Sequence, residues 1–246
     1  MKGVILAGGT GSRLHPLTKV TNKHLLPVYN KPMIYYPLEC MARSGVEEVL
    51  LVTGGNNAGD FIRLLGNGSE FGLRSLNYTY QDGAGGIAQA LGLAETFADG
   101  EPICLILGDN ILEYCIGDSC AAFKDQKVGA KILLSPVENP KAYGVAEIEG
   151  GKVARIVEKP QNPTSNLAVI GIYFYDGNVF NIVKTLKPSA RNELEITDVN
   201  NAYIQRGEMT ADHVKGFWAD AGENIDFYLK ACNTVAANGA NKPPAR

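Results

Sequence analysis

With 246 residues, 45% of them hydrophobic and 20% charged, the chain is long enough to bury a sizeable core and is composed like an ordinary globular enzyme, which excludes disordered and coiled-coil classes. A net charge of -3 argues against a dedicated nucleic-acid binder, although a local cluster such as Arg13, Lys19 and Lys23 leaves anionic small ligands open. The longest apolar runs fall far short of a membrane span, and Lys2 leads at once into a short apolar run and a glycine loop, not a signal-peptide cleavage site, so a cytoplasmic location without a membrane partner is expected.

The spacing predicts a buried strand over 3–7 (GVILA), a helix over 32–45 closed by Gly45, and a strand over 47–54. A helix over 57–68, a strand over 76–80, a helix over 85–98 and a buried strand over 102–109 continue a βαβ rhythm, which implies a mainly parallel sheet with right-handed crossovers. After Gly117 the rhythm changes. A helix around CAAFKDQ precedes a strand over 130–137, and the strands 143–149 and 152–160 read as a hairpin about Gly150-Gly151. A strong strand over 166–176, helices over 178–186 and 193–207, a strand over 208–216 and a last helix over 224–238 complete the chain. That last helix carries apolar positions at Ile225, Tyr228, Leu229 and Cys232. The tail from 238 to 246 lacks periodicity and is expected to fray. With no internal repeat and no linker, residues 1–246 read as one α/β domain, a mixed, mainly parallel sheet flanked by helices.

Cys40, Cys104, Cys115, Cys120 and Cys232 are irregularly spaced without a C-x-x-C pair, so they read as reduced structural thiols and not as a disulfide framework. Neither His15, His24 nor His213 has ligand spacing with a cysteine, so zinc is not expected.

Chemistry concentrates in LAGGTGSRLHPLT, residues 6–18. Gly8, Gly9 and Gly11 follow the first strand at its carboxyl end, where parallel sheets bind ligands, and glycines let backbone N–H groups approach phosphate oxygens. Arg13 adds a planar cationic fork. A Walker loop is excluded because Gly11-Ser12-Arg13 lacks the lysine. A dinucleotide fingerprint is excluded because Leu14 takes the third glycine's place and Pro16 intrudes. Asp109 ends a buried strand beside the loop; a carboxylate among phosphates calls for a hard cation between them, the alternative being a helix cap.

The run LAGGTGSRLxPLT, followed by K-x-LLPV, resembles the signature of the sugar-nucleotide pyrophosphorylases, and NKPMIYYPLECMARSGVEEVLLVT is similar to their glucose-1-phosphate thymidylyltransferase branch. LGDN (107–110), YGVAE (143–147), EKP (158–160), SNLAVIGIYFYD (165–176) and LKPSARNELEITDVN (186–200) extend the likeness over nearly the whole chain. The resemblance implies a Rossmann-like nucleotidyltransferase fold, dTTP and glucose 1-phosphate as substrates, Mg²⁺ as cofactor, a homo-oligomer, and a place in dTDP-rhamnose biosynthesis. In that reaction the sugar phosphate attacks the α-phosphorus and needs no protein nucleophile, so catalysis is positioning and charge neutralisation. It further implies that Leu6, Gly8, Gly9, Gly11, Ser12, Arg13, Lys23, Gln81, Gly86 and Asp109 bind the nucleotide, Arg13 and Lys23 also stabilising charge at the α-phosphorus. Gln81 and the backbone at Gly86 would read the base. Gly144, Glu158, Lys159, Val169 and Arg191 would bind the sugar phosphate, Lys159 catalytically, and Asp109 with Asp220 would hold the metal. Three departures stand out. Ala221 replaces the threonine usual after the FWAD aspartate, the prolines usual after Gln81 are missing, and His24 stands where the thymidylyl branch commonly has glutamine. For His24 a nucleotide contact and a packed ring are both open. Long members carry a further helical segment with an allosteric nucleotide site; a chain ending at Arg246 implies that this site is absent or incomplete. A uridylyl or other sugar-1-phosphate nucleotidylyltransferase is the alternative, and a non-catalytic nucleotide-sugar sensor the alternative from another class.

Overall fold

The computed structural model describes residues 1–243. In chain order its elements are β1 (Lys2–Ala7), β2 (Pro27–Val28), β3 (Lys31–Pro32), α1 (Tyr35–Arg43), β4 (Glu48–Gly54), α2 (Ala58–Leu65), β5 (Ser75–Gln81), α3 (Ile87–Gly92), α4 (Glu95–Ala98), β6 (Ile103–Leu107), β7 (Asn110–Leu112) and α5 (Gly117–Gln126). They continue with β8 (Ala130–Pro136), β9 (Gly144–Glu149), β10 (Lys152–Glu158), β11 (Leu167–Tyr175), α6 (Val179–Val183), α7 (Ile196–Gln205), β12 (Met209–His213), β13 (Trp218–Asp220) and α8 (Ile225–Asn238).

Nine of the strands form one mixed sheet in the order β10-β9-β11-β6-β1-β4-β5, with β8 beside β11 and β12 beside β8. The stretch β5-β4-β1-β6 is parallel, and β11 runs antiparallel against β6. The period of two in the strands sorts side chains between two cores. Val4 and Leu6 of β1, Leu105 of β6 and Tyr173 and Tyr175 of β11 join α3, α6 and α7 on one face. Ile5 and Ala7, Cys104 and Ile106, and Ile172 and Phe174 join α1, α2 and α5 on the other. Burial on both faces explains why these strands read as continuous apolar runs. The β9–β10 hairpin turns at Gly150 and Gly151, whose φ values of +56 and +78 fit the left-handed pair that a two-residue hairpin turn requires. No helix among the described residues is long and apolar enough to cross a membrane.

Four local readings differ from the sequence-based expectation. The helix expected over 85–98 is interrupted between α3 and α4, and two pairs of very short strands, β2–β3 and β7–β13, appear where no strand was expected. On α8 the buried residues are Ala231 and Val235, while Ile225 and Leu229 are 42% and 57% exposed. This helix packs on a small third cluster of Val28, Met33, Tyr36 and Ile111, so close approach selects its small residues over its large ones. The tail does not fray from 238. Asn241 is buried, its N–H donates to Leu112 O at 2.9 Å, its Nδ2 to Tyr36 O at 2.8 Å, and its own carbonyl accepts from Arg43 Nη1 at 2.7 Å. Lys242 Nζ adds a 2.8 Å bond to Glu113. Polar bonds, to which apolar periodicity is blind, fasten Asn241 and Lys242; residues 244–246 lie outside the described residues.

Candidate active site

Because β1 and β6 run parallel, the loops leaving Ala7 and Leu107 emerge side by side. Gly9 and Gly11 adopt φ of +92 and +62, a left-handed backbone that side-chain-bearing residues resist, and Gly11 opens the 3₁₀ turn Ser12–Leu14. The loop is held from behind: Thr18 Oγ1 donates to Gly11 O at 2.7 Å, and Asn22 Nδ2 to Ala7 O at 3.1 Å. Lys23 packs against the same glycine, where a Cβ on Gly11 would lie 3.4 Å from Lys23 Cβ.

His24 carries an enclosed ring. It is buried, its Nδ1 sits 2.8 Å from Asn22 Oδ1, and a Cβ at Gly108 would stand 2.7 Å from its Cδ2. Burial, reinforced by the neighbouring Lys23 charge, pushes its pKa down to about 3, so the imidazole is neutral at physiological pH.

The carboxylates meet through the smallest elements of the fold. Lys23 Nζ donates to Asp109 Oδ2 at 2.5 Å, and both side chains are largely enclosed. The antiparallel pairing of β7 with β13 sets Asp220 opposite Asn110, adjacent to Asp109, and Ala221 N–H donates to Asp109 O at 3.0 Å. Trp218 Nε1 locks the pair from the side by donating to Asn110 Oδ1 at 2.6 Å. Burial pushes Asp109 up, but the charge and hydrogen bond of Lys23, added to the smaller favourable contacts around it, together hold the carboxyl at about 2. Asp220 goes the other way: burial first, then the negative charge of Asp109, raise it to about 7. Two enclosed carboxylates that resist joint ionisation form a donor set a hard divalent cation would relieve, and Mg²⁺ binds through one or two carboxylates completed by phosphate oxygens and water. The residues present fit such an ion. Among the described residues there is no group of three or more histidine, cysteine or acidic side chains poised to hold a metal without a ligand's help.

A cleft of about 300 Å³ opens at this point. Of the expected residues, Arg13, Asp109, Gly144, Glu158, Lys159, Val169, Arg191 and Asp220 line it. Val169 reaches it where the β8–β11 register breaks between Val169 and Tyr173. Glu158 is oriented by Thr197 Oγ1, which donates to its Oε2 at 2.7 Å. Lys159 has φ +43 and its N–H donates to Tyr143 O at 3.0 Å, an uncommon left-handed backbone at an exposed lysine of the cleft wall. Arg191 is held by Glu195 at 2.7 Å with Glu158 and Glu193 nearby, and Arg13 pairs with Glu223.

Leu6, Gly8, Gly9, Gly11, Ser12, Lys23, His24, Gln81 and Gly86 do not line that cleft. Lys23 is tied to it through Asp109, while Gln81 and Gly86 form a neighbouring group. Gln81 Nε2 donates to Gly86 O at 3.2 Å and to Gln89 Oε1 at 2.8 Å, and a Cβ on Gly8 would lie 3.3 Å from Gln81 Oε1. The link between the two regions is Ile87, which follows Gly86 and borders the cleft. Residue-by-residue reading of the sequence missed Asn110, Tyr143, Thr197, Asn200, Trp218 and Glu223 on the cleft wall. All lie within or directly beside the blocks LGDN, YGVAE, ELEITDVN and FWADAG (217–222), so the blocks were the available signal.

The nucleotidyl transferase family model matches residues 2–238. A glucose-1-phosphate thymidylyltransferase of Actinoplanes sp. is 44% identical over 240 residues, covering 96% of this chain and 78% of that protein. A crystal structure described as a glucose-1-phosphate thymidylyltransferase from Bacillus anthracis, in complex with a sucrose, superposes with a TM-score of 0.91 at 50% identity, covering 95% of this chain and 94% of that one. A UDP-glucose pyrophosphorylase complexed with UDP-glucose reaches a TM-score of 0.84 at 27% identity, covering 96% and 98%. Strand-end glycine loop, paired aspartates and a match spanning nearly the whole chain agree, and the chain belongs to the nucleotidyl transferase family.

Proposed function

We propose that the protein transfers a thymidylyl group from dTTP to glucose 1-phosphate, giving dTDP-glucose and pyrophosphate. The observation that carries this reading is the convergence of Asp109, Asp220, Arg13, Lys159 and Arg191 on one cleft at the carboxyl ends of β1 and β6. The thymidylyl and glucosyl assignments are supported by relatives of that name at 44% and 50% identity. The uridylyl alternative draws on more distant neighbours, at 27% and 25%.

In this mechanism the glycine loop receives the triphosphate on backbone N–H groups, and Gln81 beside Gly86 pairs with the pyrimidine edge through one donor and one acceptor. Arg13 and Lys23 leave their carboxylate partners for phosphate oxygens and neutralise charge around the α-phosphorus. Lys159, assisted by Arg191, fixes the phosphate of the hexose so that its oxygen attacks the α-phosphorus in line with the departing pyrophosphate. Glu158 accepts hydrogen bonds from hexose hydroxyls, with Thr197 fixing its orientation. Asp109 and Asp220 would hold Mg²⁺, which when bound supplies charge neutralisation between the carboxylates and the phosphates. The protein works in the cytoplasm as a homo-oligomer in this reading.

A substrate panel tests it. Purified protein with Mg²⁺ is given dTTP, UTP and other triphosphates against several hexose 1-phosphates, and pyrophosphate release is scored. Highest kcat/KM for dTTP with glucose 1-phosphate is expected, with UTP retained within about 10- to 200-fold because a single methyl group is worth ~1 to 3 kcal/mol. Binding without pyrophosphate release for every pair would make the protein a sensor.

A further inference from the structure

Four of the five cysteines converge on one core: Cys40 from α1, Cys104 from β6, Cys115 from the β7–α5 connection and Cys120 from α5. Within it Cys40 neighbours Cys115, and Cys104 neighbours Cys120; Asn241 O, which accepts from Arg43 Nη1 of α1 at 2.7 Å and from Cys115 Sγ at 3.3 Å, ties Cys115 to the helix that carries Cys40. Buried thiols in apolar surroundings are ordinarily inert. Cys115 departs from that pattern in three ways. The neighbouring Cys40 thiol lowers its pKa, and the positive charge of Arg43 acts in the same direction. Its own S–H donates to Asn241 O at 3.3 Å, so the sulfur is held in place between Cys40 and the fastened tail. It also borders a small cavity of about 50 Å³ with Tyr114, Ser119 and Val214, enough room for a small oxidant, whereas Cys104 and Cys120 do not have Cys115's 7% exposure.

We propose that Cys40 and Cys115 are a disulfide-forming pair, Cys115 the attacking sulfur and Cys40 the resolving one, which a two-electron oxidant of the peroxide class converts into a clip between α1 and the β7–α5 connection. The Cys115 thiol gives up its proton as its sulfur attacks one oxygen of hydrogen peroxide; the O–O bond breaks, the leaving hydroxide takes that proton and departs as water, and a sulfenic acid remains. The Cys40 sulfur then displaces the sulfenic hydroxyl, which departs with the Cys40 proton as a second water. Two thiols and one peroxide thus give one disulfide and two waters. Asn241 O loses the bond from Cys115 and keeps the one from Arg43.

The test treats the reduced full-length protein with a few equivalents of hydrogen peroxide, quenches with catalase, and alkylates in denaturant. Two of the five thiols should become protected, the intact mass should fall by about 2 Da, and a peptide map should join the segments bearing Cys40 and Cys115. Dithiothreitol should restore all five. Cys232→Ser should leave the link in place, and Cys40→Ser should remove it and carry Cys115 on to the sulfinic acid. Five alkylatable thiols after peroxide, or a link that maps to Cys232 or to Cys104–Cys120, would overturn the proposal. The wild-type map decides this even if a variant fails to fold, and it does not depend on the substrate assignment.

Discussion

A single methyl group at position 222 should separate the fold from the catalytic arrangement. Gly222 follows β13 with an ordinary backbone conformation, so Gly222→Ala introduces no dihedral strain. Its added carbon would lie 2.3 Å from Asp109 Oδ2 and 2.6 Å from Lys23 Nζ. A comfortable contact needs ~3.5 Å, so one of the partners, or the β13 end, must move by about 1 Å. Asp109 is enclosed and its backbone carbonyl is bonded to Ala221, which leaves little slack in a direction that spares the carboxylates. A displacement of about 1 Å at reacting groups costs on the order of 100-fold in turnover, close to 3 kcal/mol of barrier. The same overpacking costs ~1 to 3 kcal/mol of stability, and each kcal/mol lowers the melting temperature by about 2 to 4 °C in a chain of this size. Pyrophosphate release from dTTP and glucose 1-phosphate in Mg²⁺, alongside thermal melts, measures both. Gly59→Ala on α2 is the control: its Cβ meets nothing within 4 Å, so turnover should be unchanged and stability equal or slightly higher. Turnover of Gly222→Ala within twofold of wild type would refute the claim that Asp109 and Lys23 must stay where they are.

Lys159→Ala should raise the KM for glucose 1-phosphate by ~10-fold or more, the worth of a charged hydrogen bond, with the KM for dTTP unchanged; a rise confined to dTTP in steady-state kinetics would move Lys159 to the triphosphate. Asp109→Asn should stay folded and lose at least ~100-fold in turnover, and because it strands the enclosed Lys23 ammonium, its urea midpoint should also fall. Wild-type turnover in that variant would remove Asp109 from the metal. His24 has a folded pKa of about 3, below its ordinary 6.5, so under acid the unfolded chain takes up a proton that the native chain refuses. Stability should therefore drop as pH falls from about 6.5 toward 3. His24→Gln should flatten that limb in melts followed between pH 7 and 4, and an unchanged slope would mean that His24 protonates in the folded protein.

The sequence made the sheet legible because β1, β4, β6 and β11 are apolar on both faces, and a run such as ICLIL admits few other readings. It made the glycine loop and Asp109 legible for the same reason, since both follow directly from the end of a strand. Asp220 is different. Only the resemblance of FWADAG pointed to it, because what brings it beside Asp109 is the pairing of two three-residue strands, too short to carry any periodicity. The tail failed in the opposite sense: Asn241 is buried by amide and carbonyl bonds to Tyr36, Leu112 and Arg43, and a polar residue in an aperiodic stretch gives no sign of that. On α8 the apolar stripe through Ile225 and Leu229 was real as a pattern, but the helix docks by Ala231 and Val235 against aromatic and apolar partners already in place.

The charges of the site follow one arrangement that no local motif contains. Arg13 pairs with Glu223, Lys23 with Asp109 and Arg191 with Glu195, so three cations expected to meet phosphates are each held by a carboxylate. Such pairs fix the side chains in the cleft before substrate arrives, which lowers the ordering cost that long cationic side chains would otherwise pay on binding. They also set a threshold. A ligand must offer enough anionic oxygen to replace a carboxylate at several positions together, which a triphosphate with a sugar phosphate can do and a neutral sugar cannot. In the proposed mechanism Asp109, released by Lys23 when phosphates take up the ammonium, would become free for a divalent cation. Metal and nucleotide should therefore bind with positive coupling: calorimetric titration of dTTP should show tighter binding in Mg²⁺ than in its absence, and Asp109→Asn should abolish the difference. Equal affinity for dTTP with and without Mg²⁺ in the wild type would mean that the exchange of partners at Lys23 does not occur.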